Sequence, residues 1–424
     1  MKFSSSVFLL LTAVSATVTA ALPCQQSTTI KEAQENSLEE NLSQKIVKVA
    51  NEPELQAAVS NLEDGYTIVV APGRYQLTKT LYIRKNNVTI RGNGDTCEDV
   101  VLLGNGMDNA EYGNAPHGIW SDARHLSISD LTIRDFYFHA VILNPGASSP
   151  RISSVQLLNS GEQFIKSNAK GYADGVNDGV VEFSRIAYTD GVPQTNHEGA
   201  GLGYTNGIDI HGGKRWRINH NQFENLSMPD TYAWLWNPAV LAWNGSAETL
   251  VENNIFINVD RAVAFGLIER NGQTDHRGGT IRNNIVYYED NLYSANRRAQ
   301  SDGAIIVWNS PNSIVAHNTV VTNKNTNKSI EFRFDTQKNM ALNNLVDAPI
   351  GSRGNSSFIQ QGNYYYTAST PLLAEPPIRH FQLSSLAKSR IIAVEFTEHS
   401  PLDIDGIERQ KQKLISPGAQ QISP

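Results

Sequence analysis

Cysteine is almost missing from this sequence: Cys24 and Cys97 are the only two in 424 residues. Two isolated cysteines argue against a structural zinc site, and they allow one disulfide, Cys24–Cys97. An excess of charge of one sign is missing as well. The net charge is −7, with acids and bases interspersed, so the basic stripe of a nucleic-acid binder is not there. A local cluster of Lys and Arg could still face an acidic ligand. Long apolar runs are absent beyond the N-terminus. There, "MKFSSSVFLLLTAVSATVTAALPC" places Lys2 before an apolar run and small residues, the pattern of a secretory signal with cleavage after Ala20 or Ala21. The run is too short to span a bilayer, which takes roughly 20 apolar residues. Residues 1–20 are therefore read as a signal peptide and 21–44 as a polar segment. The product is expected to be secreted or periplasmic, monomeric and without membrane insertion, in a compartment that permits the disulfide.

What is present is a recurrence. "RINHNQF", "LVENNIF", "TIRNNIV", "SIVAHNTV" and "MALNNLV" each set an Asn between apolar residues, at Asn221, Asn254, Asn284, Asn318 and Asn344. A repeat of about 20–50 residues marks a solenoid. The pieces are short and rich in Val and Ile, hence strand-like, and weaker copies lie upstream in "NVTIRGNG", "LSISDLTI", "RISSVQLL" and "VVEFSRIA". Amides stacked at one corner can hydrogen-bond along the stack and satisfy a buried turn.

These repeats resemble the coils of a right-handed parallel β-helix of the pectate-lyase-like superfold. The opening "NEPELQAAVSNLEDGYTIVVAPGRYQLTKTLYIRKNNVTIRGNG" is similar to the start of such coils. Asn51 and Glu54 suit a helix N-terminus, and Leu55, Val59 and Leu62 share one face, so a short helix would cover the open end of the stack. The expected fold is all-β: a single-stranded right-handed parallel β-helix over 45–365 with an N-terminal capping helix, and an irregular C-terminal cap and tail over 366–424. The "NTD" and "GHG" motifs of polygalacturonase hydrolases and the "DPHD" motif of alginate epimerases are absent, so no residue roles carry over from those families.

Each Asn-bearing strand is preceded by another: "FIKSN", "GIDIHG", "VLAWNG", "AVAFGL", "AIIVWN" and "IEFRF". Side chains alternate along a strand. With Ile208 and Ile210 inward, Asp209 and His211 face out, as do Lys166, Trp243, Trp308, Glu331 and Arg333. Exposed tryptophans on a rigid platform suit sugar rings. Long insertions flank these strands and hold Tyr188, Tyr204, Tyr232, Trp234, Trp236, Tyr287, Tyr288 and Tyr293. Long loops on a scaffold usually carry function, and here they would wall a groove suited to a polymer.

Rungs stack at about 4.8 Å, so Lys166 and His211 can serve one bond, whereas Lys166 and Arg333 are roughly 24 Å apart. The reaction is placed at Lys166, Asp209, His211 and Trp243, with Trp308, Glu331 and Arg333 as distal subsites. β-Elimination at a uronic acid needs a base (Lys166 or neutral His211), a proton donor (Tyr204), and a cation for the carboxylate (Arg215 or Lys214). Trp234 and Lys214 join the substrate-binding set. A C5 epimerase would use the same parts. A glycoside hydrolase needs two carboxylates, with Asp178, Glu198 or Asp260 as partner to Asp209. A glycan-binding adhesin needs only the aromatics. Asp260 and Arg261 read as an ion pair at a coil edge. No cofactor is required by these readings, although Asp174, Asn177 and Asp178 of "DGVNDG" are candidate calcium ligands in a turn that lacks the full calcium-loop pattern.

Overall fold

The computed structural model describes residues 45–194, 205–232, 234, 236–367, 371–374, 381–410 and 414–422. Among these, three long parallel sheets of twelve, eleven and ten strands wind as one solenoid. One turn of the winding takes Arg217–Asn219 in the first sheet, Gln222–Glu224 in the second and Pro238–Trp243 in the third. Many strands are only three residues long because the backbone turns sharply between them. His220, Asn253, Asn283, His317 and Asn343, each ending a first-sheet strand, all have φ between 53° and 56°. That left-handed conformation costs most residues about 1–2 kcal/mol and Asn less, which explains the Asn-rich corners.

The residue after each of these corners is the recurring Asn. Asn221, Asn254, Asn284 and Asn318 each donate Nδ2 to the Oδ1 of the next amide at 2.9–3.0 Å. The same Oδ1 atoms accept the backbone N–H of the preceding Asn. The ladder continues from Asn344 to Asn363, one coil further than the repeat alone indicates. Inside the winding, aliphatic residues stack in register. Ile208, Val240, Val263, Ile305 and Ile330 are aligned rung on rung and fully buried.

A helix, Glu52–Ser60, follows the first strand, Ile46–Val49. Asn51 accepts from the Glu54 N–H at 2.9 Å, and the Glu54 carboxylate accepts from the Ala50 N–H at 2.8 Å, a reciprocal cap. Leu55 and Leu62 are buried by it. The last sheet strand is Tyr364–Tyr365. Beyond it, the described C-terminal residues pack along the second sheet: Leu372, Leu373, Phe381, Leu383 and Ile404 share an apolar cluster with Ile285, Val321 and Leu345. No helix of the described residues is long and apolar enough to cross a membrane.

Candidate active site

The ten-stranded third sheet carries the site, and its outward column follows from alternation. Tyr82, Trp120, Ile142, Lys166, Asp209, Leu241, Ala264, Ile306 and Glu331 occupy successive rungs. His211 and Trp243 pair one position pair further along their strands. Ile208 and Ile210 point inward and are fully buried, as the alternation requires.

Three of these outward residues converge. Lys166 Nζ lies 2.6 Å from Asp209 Oδ2 and 3.0 Å from His211 Nε2, and His211 Nε2 is 3.2 Å from the same Oδ2. Asp209 Oδ1 accepts from Trp243 Nε1 at 2.9 Å. The Trp243 ring meets His211 edge-on, with centroids 4.7 Å apart. The Asp209 side chain is 0% exposed, against 15% for Lys166 and 23% for His211. Burial alone would raise the Asp209 pKa; the Lys166 charge and the hydrogen bond and charge of His211 outweigh it and hold the carboxyl well below the usual range. His211 Nε2 can accept from the ammonium or donate to the carboxylate, but not both at once. Lys166 and His211 are therefore hydrogen-bonded to each other beside a buried carboxylate.

The sequence reasoning missed the neighbours on the upstream side. His139 is buried, with Nδ1 2.9 Å from the Gln163 carbonyl and Nε2 3.7 Å from Glu162. Burial, then the charges of His117 and Lys166, push it well below 6.5. His117 stacks on it at 5.1 Å and is itself lowered to about 4 by burial. Trp120 and Tyr82 continue the outward column with ring centroids 5.7 Å apart. The signal was available: "HAVIL" and "HGIW" are further strands of the same sheet, one and two coils before "FIKSN".

Several expected members lie elsewhere. Arg215 does not join the trio; its guanidinium grips Asp178 at 2.7 and 2.8 Å in a half-exposed pair. Lys214 sits on the same turn, its backbone N–H on Asn177. The "DGVNDG" turn is thus held by protein partners, and among the described residues no group of three or more His, Cys, Asp or Glu gathers as a metal site. Trp308 is outward but covered, with Arg333 4.8 Å and Arg261 5.0 Å over its ring. It packs with Leu241, Ala264 and Ile306. Glu331 is fully buried, bound by Lys328 at 2.5 Å and Arg353 at 2.8 Å. Trp308 and Glu331 are thus taken up by packing and ion pairs, which corrects their reading as an open platform, whereas Arg333 is half-exposed.

Four of the loop aromatics are corrected in the same way. Tyr188, Trp236, Tyr288 and Tyr293 are buried; Trp234 is 71% exposed. Tyr204, Glu198 and Cys24 lie outside the described residues, and Cys97 is disulfide-bonded. Asp260 and Arg261 do not pair with each other. Asp260 binds Arg297, Tyr293 Oη at 3.1 Å and the Met228 N–H at 3.0 Å, while Arg261 binds Asp302 at 2.6 and 2.9 Å. Both pairs tie long loops to the third sheet.

No family model matches the chain, and no curated protein does. Solved structures with a similar winding include an alginate lyase from Paenibacillus sp., with a TM-score of 0.45 and 16% identity over 76% of this chain and 96% of that one. A tailspike protein mutant of an E. coli bacteriophage in complex with a hexasaccharide gives 0.46 and 12%, over 80% and 61%. An alginate lyase complex with a trisaccharide gives 0.42 and 14%, over 76% and 59%. The chain is a parallel β-helix, three parallel sheets wound as one solenoid. At these identities the likeness concerns the fold, and function rests on the chemistry of the site.

Proposed function

We propose that this β-helix cleaves a uronic-acid polysaccharide by β-elimination at Lys166 and His211, with Asp209 as the buried charge that positions both. The observation that carries this reading is the trio itself: two partly accessible basic groups, hydrogen-bonded to each other and to a carboxylate that cannot reach solvent. Lys166 or neutral His211 acts as the base and takes the proton from C5. The other, positively charged, faces the substrate carboxylate and stabilises the negative charge that builds there. The C5–H electrons form the C4=C5 bond, the C4–O bond breaks, and the expelled oxygen takes a proton, for which Tyr204 is the proposed donor. With both bases then protonated, ionised Asp209 offsets one of the two positive charges.

Hydrolysis is the weaker reading because it needs a second carboxylate facing the first. Asp178 is occupied by Arg215 and Asp260 is buried with Arg297. A glycan binder without catalysis gives no reason to enclose Lys166, Asp209 and His211 together at 2.6–3.2 Å. Action as a monomer and secretion belong to the proposal, which requires no cofactor.

The test is a digest of a panel of uronic-acid polymers, followed by ultraviolet absorbance and fragment mass. Elimination gives a new chromophore and fragments lighter by one water than saturated oligosaccharides. Lys166→Ala and His211→Ala should each lower turnover about 10²–10⁴-fold, the usual contribution of a general acid–base group. Saturated fragments, or cleavage of neutral glycans only, would transfer the activity to the hydrolase class.

A further inference from the structure

The outward column of the third sheet is asymmetric about the trio. Toward the C-terminal end the next rungs are Leu241, Ala264 and Ile306, at most 2% exposed, then Glu331 in its ion pairs. Those four side chains offer a sugar chain no open face. Toward the N-terminal end come Ile142, then Trp120 and Tyr82, both partly exposed. Trp120 is two rungs from Lys166 and Tyr82 three, roughly 10 and 14 Å at the spacing of neighbouring strands.

Charge accompanies these rings. Arg84 lies 4.4 Å over Trp120 and 5.9 Å from the Tyr82 centroid, and Lys79 lies 5.8 Å from Tyr82. Lys79, Tyr82, Arg84 and Lys85 join Gln56 and Ser60 of the capping helix around a pocket of about 240 Å³. That is below the usual 300–1,000 Å³ of drug-sized ligand sites and fits one ring of a chain better than a whole small molecule. Three cations line it, and the acids beside them are engaged: Asp122 holds Arg84 at 3.2 Å, Glu52 accepts from Thr78 and Asp64 accepts from the Asn86 N–H. Arg84 is 60% exposed, and an exposed ion pair is worth about 0–1 kcal/mol. Its guanidinium can therefore turn to a ligand carboxylate at little cost and bind it bidentately.

We propose that Tyr82, Trp120 and Arg84 form a subsite for an acidic sugar, so that the substrate runs from the trio toward the capping-helix end of the solenoid. The rings tilt by 52°, so each meets a different sugar face, and Arg84 takes the carboxylate between them. This rests on the proposed lyase reading and deepens it by giving the chain's direction and the sign of its charge.

The experiment measures Trp120→Ala and Arg84→Gln in the full chain two ways. Fluorescence titration with polyuronate oligomers of increasing length reads binding; steady-state cleavage reads KM and kcat. Both variants should weaken binding of long oligomers about tenfold or more, the size expected for a lost stacking contact or ion pair at a binding site. The shortest cleavable oligomers should be unaffected, and kcat on them should hold. Circular dichroism of each variant checks that the strands persist. Cleavage of uronates with unchanged length dependence in both variants would overturn the subsite and leave the lyase reading standing. Neither binding nor cleavage of any uronate polymer would overturn both. Trp120-dependent binding that is equal for neutral oligomers and indifferent to Arg84→Gln would overturn the acidic assignment.

Discussion

Asp209→Asn isolates the charge at the centre of the trio while keeping its shape. In the wild type, Oδ1 accepts from Trp243 at 2.9 Å and Oδ2 accepts from Lys166 at 2.6 Å, with His211 at 3.2 Å. An amide has one acceptor end. With its oxygen toward Trp243, its NH₂ opposes the Lys166 ammonium; turned round, it opposes the indole N–H. One donor meets a donor in either orientation. A hydrogen bond to a charged group contributes about 1.5–3 kcal/mol, and removing one partner of a fully buried ion pair costs about 3–5 kcal/mol. Lys166 and His211 are 15% and 23% exposed, so water recovers part of the loss, and the expected cost at neutral pH is about 3 kcal/mol. Urea unfolding followed by tryptophan fluorescence measures it. The pH dependence has a definite sign. The folded-state pKa of Asp209 is lowered, so its stabilisation is complete above the unfolded value of about 3.9 and is lost as pH falls below it. The gap between wild type and variant should be constant from about pH 8 to 5 and narrow below about pH 4. A gap under about 0.5 kcal/mol at neutral pH, or one that stays constant down to about pH 3, refutes the reasoning.

Two further outcomes concern the scaffold. Asn254→Ala removes the acceptor of the Asn221 N–H and both links of the ladder at that rung, leaving buried polar groups unpaired at about 1–3 kcal/mol each. Urea unfolding should show a loss of about 3 kcal/mol, and a loss under about 1 kcal/mol would mean the ladder does not hold the corner. His276 is fully buried between Ser310 and Thr249, and burial lowers it to about 3. The unfolded chain therefore binds its proton first, and stability falls as pH drops below about 6.5. His276→Gln should flatten the stability profile between about pH 6.5 and 4, and an unchanged slope there would count against a buried neutral imidazole.

The winding was legible because it rests on short-range rules. A corner needs a left-handed residue and an amide to satisfy its backbone, and both leave a mark every coil, as at Asn253–Asn254 and Asn283–Asn284. Alternation then fixed Lys166, Asp209 and His211 on the outer face. What covers that face was not legible. Trp308 is buried under Arg333 and Arg261, which come from different coils, and no local pattern encodes which cation lies over which ring. Asp260 and Arg261 show the same limit. Adjacent residues at the start of a strand point to opposite sides, so each finds its partner in a distant loop, Arg297 and Asp302. Trp120 lies where alternation puts it, on the outward column two coils before Lys166, whereas His139 precedes its strand and alternation does not place it.

Asp209 stands where the outer face changes character, and this accounts for its burial and for the accessibility of its partners. On its C-terminal side the outward rungs turn apolar at Leu241, and Trp243 closes over the carboxylate while donating to it. Water is excluded from that side, which strengthens every interaction the carboxylate makes. On its N-terminal side the column stays open, and Lys166 lies there, one rung away. A carboxylate deep inside the apolar stretch would have no cation to hold its charge, and one further toward Tyr82 would be hydrated and weak. At the boundary, burial fixes the negative charge and the open side presents the two bases it orders. The same boundary gives a bound chain one direction to run, across Ile142 to Trp120 and Tyr82.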